Sequence, residues 1–196
     1  MRPTRLGTTA AVAGLVLTAA ACSSSSSSSS THAAVTTGTV GTDCSSLPKS
    51  GTGSVPDMAS KPVVTAAEHN PQLTDLTQAV KMADVSGTLN SAKPITVFAP
   101  NNQAFASLQK ELGSANVQKL ESSTTDLRDV VEYHVVSGTI TPSDLASGKS
   151  LTSWLGQPLH PSKSGNTYKV NNADVVCGNI KTANATVYII NMVLVP

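Results

Sequence analysis

Eight consecutive serines, at positions 23–30, divide this 196-residue chain into two parts that obey different rules. The run continues into a stretch of Thr, Ala, Gly and Val to about Val40, and so little apolar surface cannot offset the entropy lost on ordering. Residues 22–42 are therefore expected to form a disordered tether. Treated as a flexible coil, it reaches about 25 to 30 Å. The information for a folded domain lies beyond it, and one domain of ordinary size accounts for what remains.

Upstream of the serines, Arg2 and Arg5 precede an apolar, small-residue stretch over 8–21, the layout of an export signal in residues 1–21. Ala, Gly and Thr dilute it and it is short, so it does not suit a bilayer-spanning helix. Two processing routes fit. Ala19 and Ala21 satisfy an ordinary signal-peptidase site, while the small residues before Cys22 resemble a lipobox, with Ala19 where Leu is usual. Cysteine parity favours the second route. Cys44 and Cys177 both lie in exported sequence and are expected to pair with each other, the alternative being two buried free thiols. Cys22 is then left over, and acylating it removes a free thiol; plain secretion is the other outcome. Two cysteines without nearby histidine spacing do not complete a tetrahedral shell, so no metal is expected.

Charged residues make up 13% of the chain and its net charge is +1, which provides no basic field for nucleic acid. Aromatic residues are few, at 3%, so the core must come from Val, Leu, Ile and Ala. Residues 43–61, rich in Pro, Gly and Ser, read as an irregular arm, and a Cys44–Cys177 bridge would hold it to the domain. From 62 to 196 the pattern is regular. Apolar spacing predicts helices around Val63–Ala67 and Leu73–Ala83, separated by the Asn70-Pro71 break. A strand at Ile95–Phe98 stops at Pro100 and feeds a helix capped by Asn101 or Asn102 and carrying Ala104, Phe105 and Leu108. Further helices are expected around Val117 and from Thr124 or Thr125 to Tyr133, then a helical turn at Pro142. Strand-like pieces follow near 149–154, 158–160, 168–170, 174–177 and 186–195. Helices first and strands later signal an α+β domain. The run Val187-Tyr188-Ile189-Ile190 is apolar at every position, which marks a central strand covered on both faces.

Three stretches stand in a telling order: TVFAPNNQAF from Thr96 to Phe105, YHVVSG from Tyr133 to Gly138, and TVYIINMVLVP from Thr186 to Pro196. Together they resemble the fasciclin domain, and the segment from Asn172 to Thr186 is similar to the secreted and lipid-anchored fasciclin antigens of mycobacteria. Asn101-Asn102 departs from the Thr-Asn or Thr-Asp common in that family. Asn also caps a helix well, so the fold is expected to tolerate the change. The resemblance implies a single β-sandwich or wedge with packed helices, acting outside the cell in adhesion or recognition, without catalytic residues or cofactor. It also implies Tyr133 and His134 as binding residues and O-glycosylation of the tether.

From the residues alone, His134 beside Asp126 or Asp129, with Ser137 as nucleophile, outlines a hydrolase. No Gly-x-Ser-x-Gly turn accompanies it, and Tyr133 and His134 read more simply as core residues that satisfy polar neighbours. The Asn184-Ala-Thr186 acceptor sequence reads as coincidence in a bacterial export context. The expected protein is a monomeric, lipid-anchored surface protein, released in part to the medium, that recognises protein or glycan partners on cells or host matrix. An envelope spacer without a partner is the remaining alternative.

Overall fold

The computed structural model describes residues 38–196. The expected signal segment, Cys22 and most of the tether lie outside the described residues.

Two strands from opposite ends of the domain run parallel at its centre. β1 (Ile95–Pro100) pairs with β8 (Ala185–Ile190), in register from Ile95 opposite Ala185 to Pro100 opposite Ile190. Every residue of both is buried. Alternation sends Ile95, Val97, Val187 and Ile189 into one apolar cluster, and Phe98, Tyr188 and Ile190 into a second. A strand covered on both faces has to be apolar throughout, which is what the Val187–Ile190 run predicts. Around this pair the sheet has the order β2-β1-β8-β7-β6-β5, with β2 (Val135–Ser137), β7 (Ala173–Lys181), β6 (Thr167–Val170) and β5 (Pro161–Ser164) all pairing antiparallel. The architecture is α+β, as the element order predicts.

Helices supply the first cluster. α1 (Val55–Ala59), α2 (Val63–Glu68), α3 (Thr74–Met82), α4 (Ser86–Ser91) and α7 (Thr124–Tyr133) contribute Met58, Val64, Leu76, Leu89 and Val131 to it. The second cluster is closed by Leu145 of α8 (Pro142–Ala146) and Leu159 of a ribbon formed by β3 (Leu151–Thr152) and β4 (Pro158–Leu159). Polar side chains cap the starts of α1, α5 (Asn102–Leu112), α7 and α8, each accepting an orphan N–H. Asn101, not Asn102, caps α5 by accepting from the Ala104 N–H at 2.9 Å. Asn102 instead donates to the Pro71 carbonyl and accepts from the Asp75 N–H, tying α5 to the start of α3. α7 is capped by Ser123, one residue before the expected threonines, because its Oγ meets the Asp126 N–H at 3.2 Å. Asn184 is buried and accepts from the Val63 N–H while donating to the Leu89 and Ala92 carbonyls, so the acceptor asparagine is a structural hub between α2, α4 and the β7–β8 turn.

Other boundaries differ from the sequence pattern for local reasons. The final strand stops at Ile190 and does not run on to Val195, because Asn191 leaves the ladder: its N–H and side-chain oxygen both bond the Asp174 backbone. β5 has three exposed polar residues and a leading proline, so its sequence shows no alternation; it is a sheet edge. α4, with the sequence SGTLNS, buries only Leu89 and carries little helical signal.

The arm is more ordered than its composition predicts. β7 shifts register against β8 between Cys177 and Ile180, and such an irregularity frees backbone groups from the ladder. The arm satisfies them together with residues 38–42, which the composition assigns to the tether and which are ordered here: Val40 and Gly178 exchange both N–H···O bonds, Asp43 N–H donates to the Val176 carbonyl, and Asn179 Nδ2 donates to the Gly38 carbonyl. A 3-10 turn at Cys44–Ser46 then places Cys44 in a disulfide with Cys177, Cα atoms 4.7 Å apart. Beyond it Leu47 and Met58 enter the core. Ser54 caps α1 and Asp57 supplies the acidic first turn, a Ser-x-x-Asp signature with Pro56 just inside the helix that the sequence does display.

Two outcomes follow from this packing. Any Cβ at position 178 would collide with the Tyr188 ring, so Gly178→Ala should cost about 1 to 3 kcal/mol in chemical denaturation. The disulfide closes a loop of 133 residues, for which chain entropy gives at most about 5 kcal/mol. Reductant should therefore lower the melting temperature of the wild type but not that of Cys44→Ser/Cys177→Ser, and cleavage by protease between 38 and 54 should accelerate on reduction.

Candidate functional site

The residues with the most catalytic character lie in the interior. Tyr133 ends α7 and is buried; its hydroxyl donates to the Pro158 carbonyl at 3.2 Å and accepts from Asn171 Nδ2 at 2.9 Å. Asn171 sits in the left-handed region and also holds the backbone of His160, so Tyr133 locks the end of a helix to two turns. His134 is 3% exposed. Its Nδ1 bonds the Val130 carbonyl at 2.7 Å, which requires the proton on Nδ1, and its Nε2 accepts from the Leu194 N–H at 2.9 Å. Both ring nitrogens are thus engaged by backbone.

The hydrolase outline does not assemble. Neither Asp126 nor Asp129 bonds the imidazole, and the Ser137 hydroxyl accepts from the indole N–H of Trp154 at 2.9 Å. Tyr133 and His134, read from the sequence both as core residues and as contact candidates, are 5% and 3% exposed, with their polar atoms bonded within the domain. Burial, partly opposed by the bond to Val130, lowers the His134 pKa to about 4.

Above this imidazole lies a groove of about 330 Å³, within the size range of ligand sites. Its walls are α3, α5, α6 (Ser114–Glu121) and α7, and His134 lies at its floor. Leu76 and Ala79 face it from α3, Phe105 and Leu108 from α5, Val117 and Leu120 from α6, and Val130 from α7. The groove exists because α6 covers the layer incompletely: Gly113, at φ 79°, turns the chain between α5 and α6, and no residue of α6 is fully buried, Leu120 being only partly packed against the core. The charged lining residues are Asp75 and Glu121, both acidic, and the polar ones are mainly Gln78, Gln109 and Gln118. Such a surface can bind apolar groups whose flanks are neutral or cationic. It offers no paired acid and base. Sequence spacing identifies these apolar residues as helix faces, but gives no sign that α6 leaves part of them uncovered. Among the described residues no group of three His, Cys, Asp or Glu side chains is placed to hold a metal ion.

The family model of the fasciclin domain matches residues 71–196, from the start of α3 to the end of the chain. The chain belongs to the fasciclin domain family. The fasciclin match covers the sheet, the groove and the Tyr133-His134 pair, while the arm with Cys44, α1 and α2 precede it. Similar proteins include the immunogenic protein MPB70 of Mycobacterium bovis, 39% identical over 151 residues that cover 74% of this chain and 75% of that protein. The cell surface glycolipoprotein MPB83 of the same species is 40% identical over 151 residues, covering 74% of this chain and 66% of that one. A FAS1 domain pair of the insect cell adhesion molecule fasciclin I shares the fold, with a TM-score of 0.61 at 16% identity. That match covers 71% of this chain and 52% of the solved chain, about half its length.

The buried histidine gives the fasciclin domain a pH signature. Its folded pKa of about 4 lies below the ordinary 6.5, so the proton prefers the unfolded chain. The stabilisation is complete above pH 6.5, declines between 6.5 and about 4, and levels off below; its full size is on the order of 3 kcal/mol. The lowered carboxyls Asp57, Asp144 and Asp174, held by Lys61, Thr141 and Lys169 respectively, act in a separate window below 3.8. Urea denaturation at pH 7 and pH 4.5 should show this loss in the wild type and a flatter profile in His134→Gln.

Proposed function

We propose that this chain is a cell-surface lipoprotein, anchored through lipid on Cys22, that displays its fasciclin domain to recognise protein or glycan partners and has no reaction of its own. The observation that carries the reading is the similarity, over three quarters of the chain, to a protein named as a cell surface glycolipoprotein and to one named as immunogenic. The interior supports it. The imidazole has both nitrogens engaged, Ser137 is held by Trp154, and the groove is lined mainly by apolar side chains, which favours binding over turnover. With Val40 paired to Gly178, the segment from Cys22 to the domain is shorter than the whole 22–42 stretch, and as a flexible coil it gives a reach of about 20 to 25 Å between a lipid and the domain. Thr and Ser of that segment are candidates for O-glycosylation. The domain acts as a monomer. The reading of the chain as a spacer leaves the groove unexplained.

Detergent phase partitioning of the protein expressed in an actinobacterial host tests the anchor. Wild type should enter the detergent phase and Cys22→Ala the aqueous phase; recovery of both from the aqueous phase rejects lipidation. Crosslinking of the displayed chain on intact cells and on host matrix tests recognition, with Val117→Glu in the groove wall expected to reduce the captured partner about tenfold or more.

A further inference from the structure

A second, smaller cleft lies on another part of the domain, where the α3–α4 turn, α4, α7 and Trp154 meet. Its volume is about 110 Å³, room for about four waters. Unlike the groove, it is lined by charge of both signs: Asp84 from the turn, Arg128 and Glu132 from α7. None of the three takes part in the ion pairs found among the described residues, which join Lys61 to Asp57, Lys81 to Glu68 and Lys169 to Asp174. Arg128 is directed toward the turn, its Nη2 3.5 Å from the Ala83 carbonyl, and Asp84 is held there in the left-handed region. Trp154 closes the cleft. It is the sole tryptophan of the chain, half-buried, with its backbone N–H on the Val135 carbonyl and its indole N–H on Ser137. The indole is therefore fixed and its own donor is occupied, which leaves ring surface as its contribution.

We infer that this cleft binds one edge of a neutral sugar residue, its C–H face against Trp154 and its hydroxyls shared between Asp84, Glu132 and Arg128. Four chemical points select this ligand class. A sugar ring presents an apolar C–H face and a polar rim, and an aromatic ring with unpaired carboxylates and a guanidinium at its border complements both. Adjacent hydroxyls need acceptors and donors together, and the cleft supplies two carboxylates and one guanidinium. A phosphate or carboxylate ligand would meet two negative groups against one positive. A purely apolar ligand would desolvate three charges without bonding them. The small volume restricts contact to part of a single residue, as at the terminus of a glycan chain. This assignment deepens the recognition reading above and rests on it.

Because Trp154 is the only tryptophan, its fluorescence reports directly on occupancy. The full-length chain is titrated with the methyl glycosides of glucose, galactose, mannose and N-acetylglucosamine. At least one should give a saturable change with a dissociation constant on the order of a few millimolar, the strength a ligand of this size allows. Asp84→Asn and Glu132→Gln, both accessible positions, should weaken that binding about tenfold each while leaving the melting temperature unchanged. Silence from all four sugars up to about ten times that concentration overturns the assignment. So does a response of equal affinity in both variants, since the indole would then be sensing a ligand held elsewhere. Partner capture by the crosslinking experiment alongside silent titrations rejects the cleft alone; absence of capture as well rejects the recognition reading.

Discussion

The parallel pairing of β1 with β8 is the interaction on which the rest of the domain depends. It joins the first strand of the sheet to the last, and nothing local favours it; it forms because each strand is apolar on both faces and needs cover above and below. Helices assemble on one side, where Val97 and Val187 face α2, α3, α4 and α7. The smaller layer of α8 and the β3–β4 ribbon closes the other over Phe98 and Tyr188, whose ring centroids are 5.8 Å apart. Tyr188 explains the absence of a side chain at 178, and its hydroxyl donates to the Ile140 carbonyl beside α8.

That glycine sits within the irregular stretch of β7, and the irregularity is what recruits the arm. Backbone groups that β8 cannot reach are taken by Val40 and Asp43, and the disulfide fixes the same segment at the adjacent residue. Hydrogen bonds, the covalent link and the burial of Leu47 and Met58 act on one short stretch of chain. The N-terminal arm is thus a structural part of the domain, held against β7 from Val40 to Cys44.

Functional chemistry is distributed according to the same layering. The Tyr133-His134 pair lies where α7 runs into β2, and the imidazole joins the Val130 carbonyl of the helix to the Leu194 N–H of the C-terminal segment. Its part is to hold the base of the helical layer. Concave surfaces arise at the edges of that layer: an apolar groove beneath α6, and a charged cleft beside Trp154 between α4 and α7. One is lined mainly by apolar side chains and the other by charges of both signs.

Much of this was legible in the residues and some was not. Local periodicity and turn chemistry placed the α2–α3 break at Asn70-Pro71, the Pro100 stop of β1 and the buried character of Val187–Ile190, and cysteine parity paired Cys44 with Cys177. The order of three short motifs identified the fasciclin domain, because such motifs encode a strand's neighbours as well as its shape. Only the tertiary structure decided that Tyr133 and His134 are interior, since a polar residue beside an apolar run has the same sequence whether its hydrogen bonds go to water or to the distant Pro158, Asn171 and Leu194. It alone revealed the two clefts. A cavity is a failure of separate elements to meet, and that depends on how far helices such as α6 stand from their neighbours, a distance no local pattern of residues contains.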